Sequence, residues 1–224
     1  MQIGAEAPTM KRRTVVAAVP IAALLGGCTD ILTQERTTFE AERGIVTESA
    51  RAETDYGEVD RSEAQSERDY ENVDRTVVVI NKLTEYARSM DLPLLGGGQL
   101  GRFTVLATPE VTVVPGEPAN PVADMDNDEL AMTVQDRYSG IENVRKVDER
   151  ESDLLGATVT VGRYRADAET DGESTEVHLH IAQRESQRSG DDGTDIVVCV
   201  GINPADIDER ERIDRLLAGV RHPA

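Results

Sequence analysis

Four strand-like segments follow one another in the second half of the chain, and the short turns between them limit the possible folds. Apolar and polar residues alternate within the second and third of these segments, as in strands that have one buried face. Asp171 and Gly172 separate two of them and are typical of a tight hairpin turn. Parallel neighbours need a crossover of about a dozen residues or more, so such short turns favour antiparallel pairing. The segments span residues 142–150, 157–168, 174–183 and 194–202.

The remaining segments predict an α+β domain built around the same sheet. Residues 76–88 contain a run of β-branched residues, which favours a strand over a helix, and residues 102–107 predict another strand. Residues 39–46 predict a first strand and residues 47–56 a short helix. Residues 59–70 are polar, and either an exposed edge strand or a long loop is consistent with them. We therefore expect a single domain with a mainly antiparallel sheet of about six to seven strands and two main helices packed on it.

Two amphipathic segments predict the main helices. Asp126 and Glu129, three residues apart, predict a capping box at the start of a helix that extends to Tyr138. Asp206 and Glu209 predict the same arrangement at the start of a C-terminal helix. Apolar residues at helical spacing are expected to face the sheet, namely Leu130, Val134, Ile213, Leu216, Leu217 and Val220.

The first 28 residues predict an export and anchoring segment. A basic stretch that includes Arg12 and Arg13 precedes an apolar run at residues 14–25. A helix needs about 20 residues to cross a hydrocarbon core of roughly 30 Å, so this run is too short to span one but is typical of a signal peptide. Small residues then lead into a cysteine, in the order Leu25, Gly26, Gly27 and Cys28. The alternative is a buried internal helix followed by an incidental cysteine.

This order of features resembles a lipobox that follows a twin-arginine export signal. The resemblance implies cleavage before Cys28 and a two-chain lipid on its sulfur, which would hold the protein stably at the outer face of the cytoplasmic membrane. Residues 1–27 would be the signal peptide, and residues 28–38 the lipidated cysteine and a polar tether. Residues 39–222 would form the globular domain.

The chain is strongly acidic, with 43 Asp and Glu residues against 24 Lys and Arg residues and a net charge of −19. Such a surface repels phosphate backbones, so we expect no binding to nucleic acid. Lysine occurs only at positions 11, 82 and 146, and aromatic residues make up 3% of the chain. This composition is typical of a protein that must stay hydrated in concentrated salt, although an ordinary acidic protein is the alternative.

The two cysteines predict a lipid attachment site and a buried core residue. If Cys28 carries a lipid, Cys199 has no partner for an intramolecular disulfide. Cys199 lies in an apolar strand-like run, which predicts a small buried hydrophobe. A nucleophilic thiol would need a neighbouring base or positive charge. We therefore assign no catalytic residue.

Two histidines form a candidate metal site. His178 and His180 are two residues apart in a predicted strand, so their imidazoles lie on the same face. Zinc needs three or four ligands, and the many carboxylates could supply a third. The alternative is an exposed strand face, with Val177, Leu179 and Ile181 directed into the core.

Several segments together resemble an uncharacterised family of haloarchaeal lipoproteins. They are residues 102–109, 120–122, 128–131 and 138–140, together with the closing helix. The similarity extends over about residues 28–222 and implies no particular activity. The order of elements also resembles the PsbP-like sandwich of lipoproteins such as DcrB and LpqN, in which helices flank an antiparallel sheet.

These observations lead to one main functional hypothesis and two alternatives. We expect a non-enzymatic, lipid-anchored protein that binds a partner protein or a small ligand in the cell envelope, with no cofactor beyond the lipid on Cys28. The first alternative is a metal-dependent surface enzyme that uses His178 and His180. The second is a single-domain solute-binding lipoprotein.

Overall fold

Long antiparallel strands dominate the computed structural model of the chain, and three short helices lie between them. The residues described are 36–70, 75–90, 98–114, 117–118, 120–137, 140–170, 173–190 and 193–223. The predicted signal peptide, lipobox and Cys28 lie outside these residues, as does the predicted hairpin turn at Asp171 and Gly172. No helix within the described ranges has the length and apolar content needed to cross a membrane.

Twelve strands are present in the described residues. They are β1 (Arg36–Glu40), β2 (Ile45–Val46), β3 (Gly57–Tyr70), β4 (Arg75–Met90), β5 (Gly98–Pro109), β6 (Thr112–Val114), β7 (Glu117–Pro118), β8 (Ile141–Leu154), β9 (Ala157–Thr170), β10 (Glu173–Gln187), β11 (Thr194–Pro204) and β12 (Val220–Arg221). The helices are α1 (Glu48–Thr54), α2 (Asn127–Arg137) and α3 (Arg210–Ala218), with a 3₁₀ helix at Pro121–Asp124.

Eight strands form the main sheet of this single domain. Their order is β1-β4-β5-β11-β10-β9-β8, and β3 also pairs with β4. Every pairing is antiparallel except the short parallel one between β1 and β4. The prediction of a mainly antiparallel α+β domain is therefore confirmed. Of the two alternatives for residues 59–70, the edge strand is correct, because β3 pairs with β4 along its length.

The central strands are buried on both faces. Seven of the eleven residues of β11 are buried, including the unbroken run 195–199, so the middle of this strand is buried on both faces and does not alternate. Val197 and Cys199 belong to the core on one side of the sheet. Ile196 and Val198 belong to the core on the other side. The sheet thus divides two apolar layers, and each layer needs a helix to cover it.

Different helices cover the two layers. On the first side, Ile213, Leu216 and Leu217 of α3 pack with Phe103 and other buried strand residues. On the second side, α2 contributes the apolar side chains, which are Leu130, Ala131 and Val134. The predicted apolar helix faces are confirmed at Leu130, Val134, Ile213, Leu216 and Leu217. Val220 is buried as expected but lies in β12, because α3 ends at Ala218, and the predicted helix end at Tyr138 lies outside the described residues.

The two predicted capping boxes have different outcomes. At α2 the box is confirmed, because the main-chain N of Glu129 donates to Asp126 Oδ1 at 2.9 Å and that of Asp126 donates to Glu129 Oε2 at 2.9 Å. At α3 the predicted box of Asp206 and Glu209 is wrong, since the helix begins at Arg210. The Glu209 carboxylate is buried in an ion pair with Arg88 of β4 and is not used as a cap.

The predicted strand at residues 39–46 is also wrong in part, since it divides into β1 and β2. Between them the chain turns to contact other segments. The main-chain N of Glu42 donates to Asp195 Oδ2 at 2.7 Å, and the Arg43 guanidinium donates to the carbonyl oxygens of Ser62 and Leu83. These contacts replace the ladder hydrogen bonds that a continuous strand would make.

Close contact between α1 and the end of α3 predicts the effect of one substitution. A Cβ at Gly219 would overlap the Cβ of Ala50, and neither backbone can move without disturbing the core. Gly219→Ala should therefore lower the free energy of unfolding by about 1–3 kcal/mol, which urea denaturation measures. Gly190→Ala is the matched control, because a Cβ there meets nothing within 4 Å. Equal stability of the two variants would contradict this packing.

Candidate ligand-binding cleft

A cleft of about 680 Å³ opens at one end of the sheet. Three separate segments line it: the turn between β8 and β9, the last residues of β10, and the residues that follow α3. Its size lies within the range of about 300–1,000 Å³ that is usual for small-molecule sites. Because its residues come from distant parts of the chain, no local sequence motif marks it.

Two arginines in the cleft are held by main-chain carbonyls. Arg184 Nη1 donates to the carbonyl oxygens of Leu154 and Leu155 at 3.0 and 3.1 Å. Arg221 Nη1 donates to those of Ala218 and Val220 at 3.0 and 2.7 Å. Within the described part of the chain, neither guanidinium has a carboxylate oxygen within 4 Å. Both arginines are thus oriented but not neutralised.

The other groups in the cleft are of mixed character. Asp153 and Glu185 supply two exposed carboxylates, while Leu155 and Ala218 supply apolar surface. The cleft therefore offers donors, acceptors and apolar contacts in one place. Sequence reasoning missed it, because its arginines look like ordinary surface residues when the chain is read in order.

A buried Asp–His pair lies at the wall of the cleft, which His222 and Ser186 help to line. His222 Nε2 is 3.1 Å from Asp195 Oδ2, and both side chains are fully buried. Asp195 also accepts from the main-chain N of Glu42, so this carboxylate joins β11, the segment after β1 and the C-terminal segment. Ser186 Oγ donates to the main-chain oxygen of His222, not to its imidazole, at 3.3 Å. These hydrogen bonds hold the three segments in contact. They do not activate the serine hydroxyl as a nucleophile, because no imidazole nitrogen among the described residues accepts its proton.

The predicted metal ligands lie elsewhere, on the face of β10 that α3 covers. His178 and His180 are 7% and 2% exposed, so the alternative of an exposed strand face is wrong. The reason is the approach of α3, since a Cβ at Gly201, opposite His180 on β11, would be 2.7 Å from the side chain of Ile213.

Arginines surround both imidazoles. Arg150 Nη1 is 3.2 Å from His180 Nδ1, and Arg150 is itself paired with Asp214. Burial, followed by the charge of Arg150, lowers the pKa of His180 to about 3. Since a guanidinium donates to Nδ1, that nitrogen accepts and the neutral ring carries its proton on Nε2.

His178 has a similar electrostatic environment. Burial lowers its pKa below the ordinary value, and the charges of Arg163 and Arg165 add to the effect. Such surroundings also oppose a metal cation. Among the residues that the structure describes, no group of three or more His, Cys, Asp or Glu side chains could hold a metal ion. The metal role of the two histidines stays a prediction, and the electrostatics do not favour it.

Cys199 is 1% exposed and lies in the core, which confirms the prediction of a small buried hydrophobe. Burial raises the pKa of its thiol well above the ordinary value. The thiolate needed for nucleophilic attack is therefore disfavoured.

Replacing His180 with Gln should weaken the effect of acid on stability. The pKa of His180 is lower in the folded chain than its ordinary 6.5, so the neutral ring stabilises the fold above pH 6.5, and this contribution is lost as the pH falls toward 3. Between pH 7 and pH 5 the unmodified protein should lose about 2 kcal/mol more unfolding free energy than His180→Gln. Urea denaturation at both pH values measures the difference, and equal losses would contradict the buried neutral imidazole.

Comparison with known proteins gives a family but no activity. A search of curated proteins found no match to the chain. The family model described as "Domain of unknown function (DUF6517)" matches residues 43–221, which run from the segment after β1 to the end of β12. That range includes both arginines of the cleft and both buried histidines of β10. The match extends over most of the chain, which therefore belongs to the DUF6517 family.

Proposed function

We propose that this protein is a lipid-anchored binding module at the outer face of the cytoplasmic membrane. It would be exported through a twin-arginine signal, cleaved before Cys28 and held by a lipid on that residue. Its role would be to bind a small ligand or a partner of the cell envelope, without catalysing a reaction. Its acidic surface would keep it hydrated in concentrated salt, as in the haloarchaeal lipoproteins that it resembles.

The N-terminal sequence supports the anchor. A basic stretch, an apolar run, small residues and a cysteine follow one another in the order that lipoprotein export requires. The first strand begins at Arg36, eight residues after Cys28. Eight extended residues reach at most about 29 Å, so the tether would keep the domain close to the membrane surface.

The cleft is the observation that carries the binding role. It contains two oriented guanidinium groups beside apolar surface, which is the arrangement that a small polar ligand needs. Ser186 and His222, which line the cleft, are arranged for structural contacts, because the Ser186 hydroxyl donates to the main-chain oxygen of His222. Binding therefore accounts for this geometry better than nucleophilic catalysis.

Loss of the proposed anchor should release the protein from membranes. Cys28→Ser removes the sulfur that would carry the lipid, so the variant should move from the membrane fraction to the soluble fraction. Fractionation of cells that make the full chain measures this change. Cys199→Ala is the matched control, because it removes the other cysteine and leaves Cys28 in place.

Two results would count against the anchor. One is retention of Cys28→Ser in the membrane fraction after a high-salt wash, which removes proteins held only by charge. The other is release of Cys199→Ala to the same extent as Cys28→Ser.

A further inference from the structure

We infer that the cleft binds a small organic anion, whose carboxylate or phosphate group is held by Arg184 and Arg221. The apolar part of the ligand would lie against Leu155 and Ala218, which line the same cleft. This inference rests on the proposed function as a binding module and names the class of ligand.

The first support is that both guanidinium groups keep unused donors. A guanidinium has five N–H groups in a fixed fork, and the hydrogen bonds that Arg184 and Arg221 make to described residues involve Nη1 alone. The Nε and Nη2 groups are left to donate to a ligand. Charge-assisted hydrogen bonds of this kind are among the strongest that a protein makes.

The second support is the contrast with other arginines of the chain. Arg150 and Arg163 donate to the carboxylates of Asp214 and Asp148, which neutralise them within the protein. Among the residues that the structure describes, Arg184 and Arg221 have only carbonyl partners, although the chain carries 43 acidic residues. Two guanidinium groups that have no carboxylate within 4 Å among the described residues are free to pair with a bound anion.

The third support is that both arginines are held in place before a ligand arrives. Arg184 is fixed to the turn between β8 and β9, and Arg221 to the end of α3. Fixing a long side chain in advance removes part of the entropy that binding would otherwise cost. Carbonyl oxygens achieve this without cancelling the positive charge.

The carboxylates in the cleft limit the charge of the ligand. Asp153 and Glu185 line the same space and would repel a strongly charged polyanion. A ligand with one or two negative charges on one end therefore fits better than an oligonucleotide or a polyphosphate. The apolar surface of Leu155 favours a ligand with a hydrocarbon or aromatic part.

Binding of three matched probes tests this inference. Benzoate carries a carboxylate, phenyl phosphate carries a phosphate ester, and benzamide is a neutral analogue of benzoate. Each is titrated into the full chain with Cys28→Ser, at constant ionic strength, while the amide resonances of Gly156 and Ser186 in the cleft are followed by NMR. At least one of the two anions should shift these resonances saturably, and benzamide should not.

Matched arginine variants show whether the guanidinium groups are responsible. Arg221→Met should weaken binding about tenfold or more, as expected for the loss of a charge-assisted hydrogen bond. Arg215→Met is the control, because it removes the same charge from α3 outside the cleft. Arg184→Met is a second test variant, so that a folding defect in Arg221→Met does not prevent the test.

Each outcome has a defined meaning. Tighter binding of benzoate would support a carboxylate ligand, and tighter binding of phenyl phosphate would support a phosphate ester. The inference is overturned if neither anion binds saturably, if benzamide binds equally well, or if Arg221→Met and Arg215→Met bind alike. Release of Cys28→Ser from membranes is measured separately, so failure of the ligand and failure of the anchor are distinguishable.

Discussion

Burial of both faces of β10 and β11 is the constraint on which the rest of this structure depends. Two apolar layers result, one covered by α1 and α3 and the other by α2. The position of α3 then determines which side chains on one face of β10 are buried. It encloses His178 and His180, and its last residues lead into β12 and form one wall of the cleft.

The charged groups that are buried in this fold are paired with other side chains or with the main chain. Glu209 is 1% exposed and pairs with Arg88, while Asp195 accepts from His222 and from the main chain of Glu42. Removing one partner of such a pair is strongly destabilising, because the other charge stays buried. These contacts join segments that are far apart in sequence. The arginines of the cleft differ from this pattern because their charges have no acidic partner among the described residues.

Features set by neighbouring residues could be predicted from the sequence. The antiparallel strands and the Asp126 cap depend on alternation and on a three-residue spacing. The start of α3 could not be predicted, because Glu209 pairs with an arginine 121 positions earlier. Burial of the two histidines depends on where α3 lies, and the cleft combines three distant segments. No local sequence pattern marks the burial of these histidines or the position of the cleft.

One measurement tests both the anchor that the sequence predicts and the ligand that the cleft is proposed to bind. A native mass spectrum of the protein purified from the membranes of its own cells reports the mass of the chain, its lipid and any retained ligand. We expect a chain that starts at Cys28, carries a two-chain lipid and retains an additional small anion. A chain that keeps residues 1–27, with no added mass, would contradict this expectation.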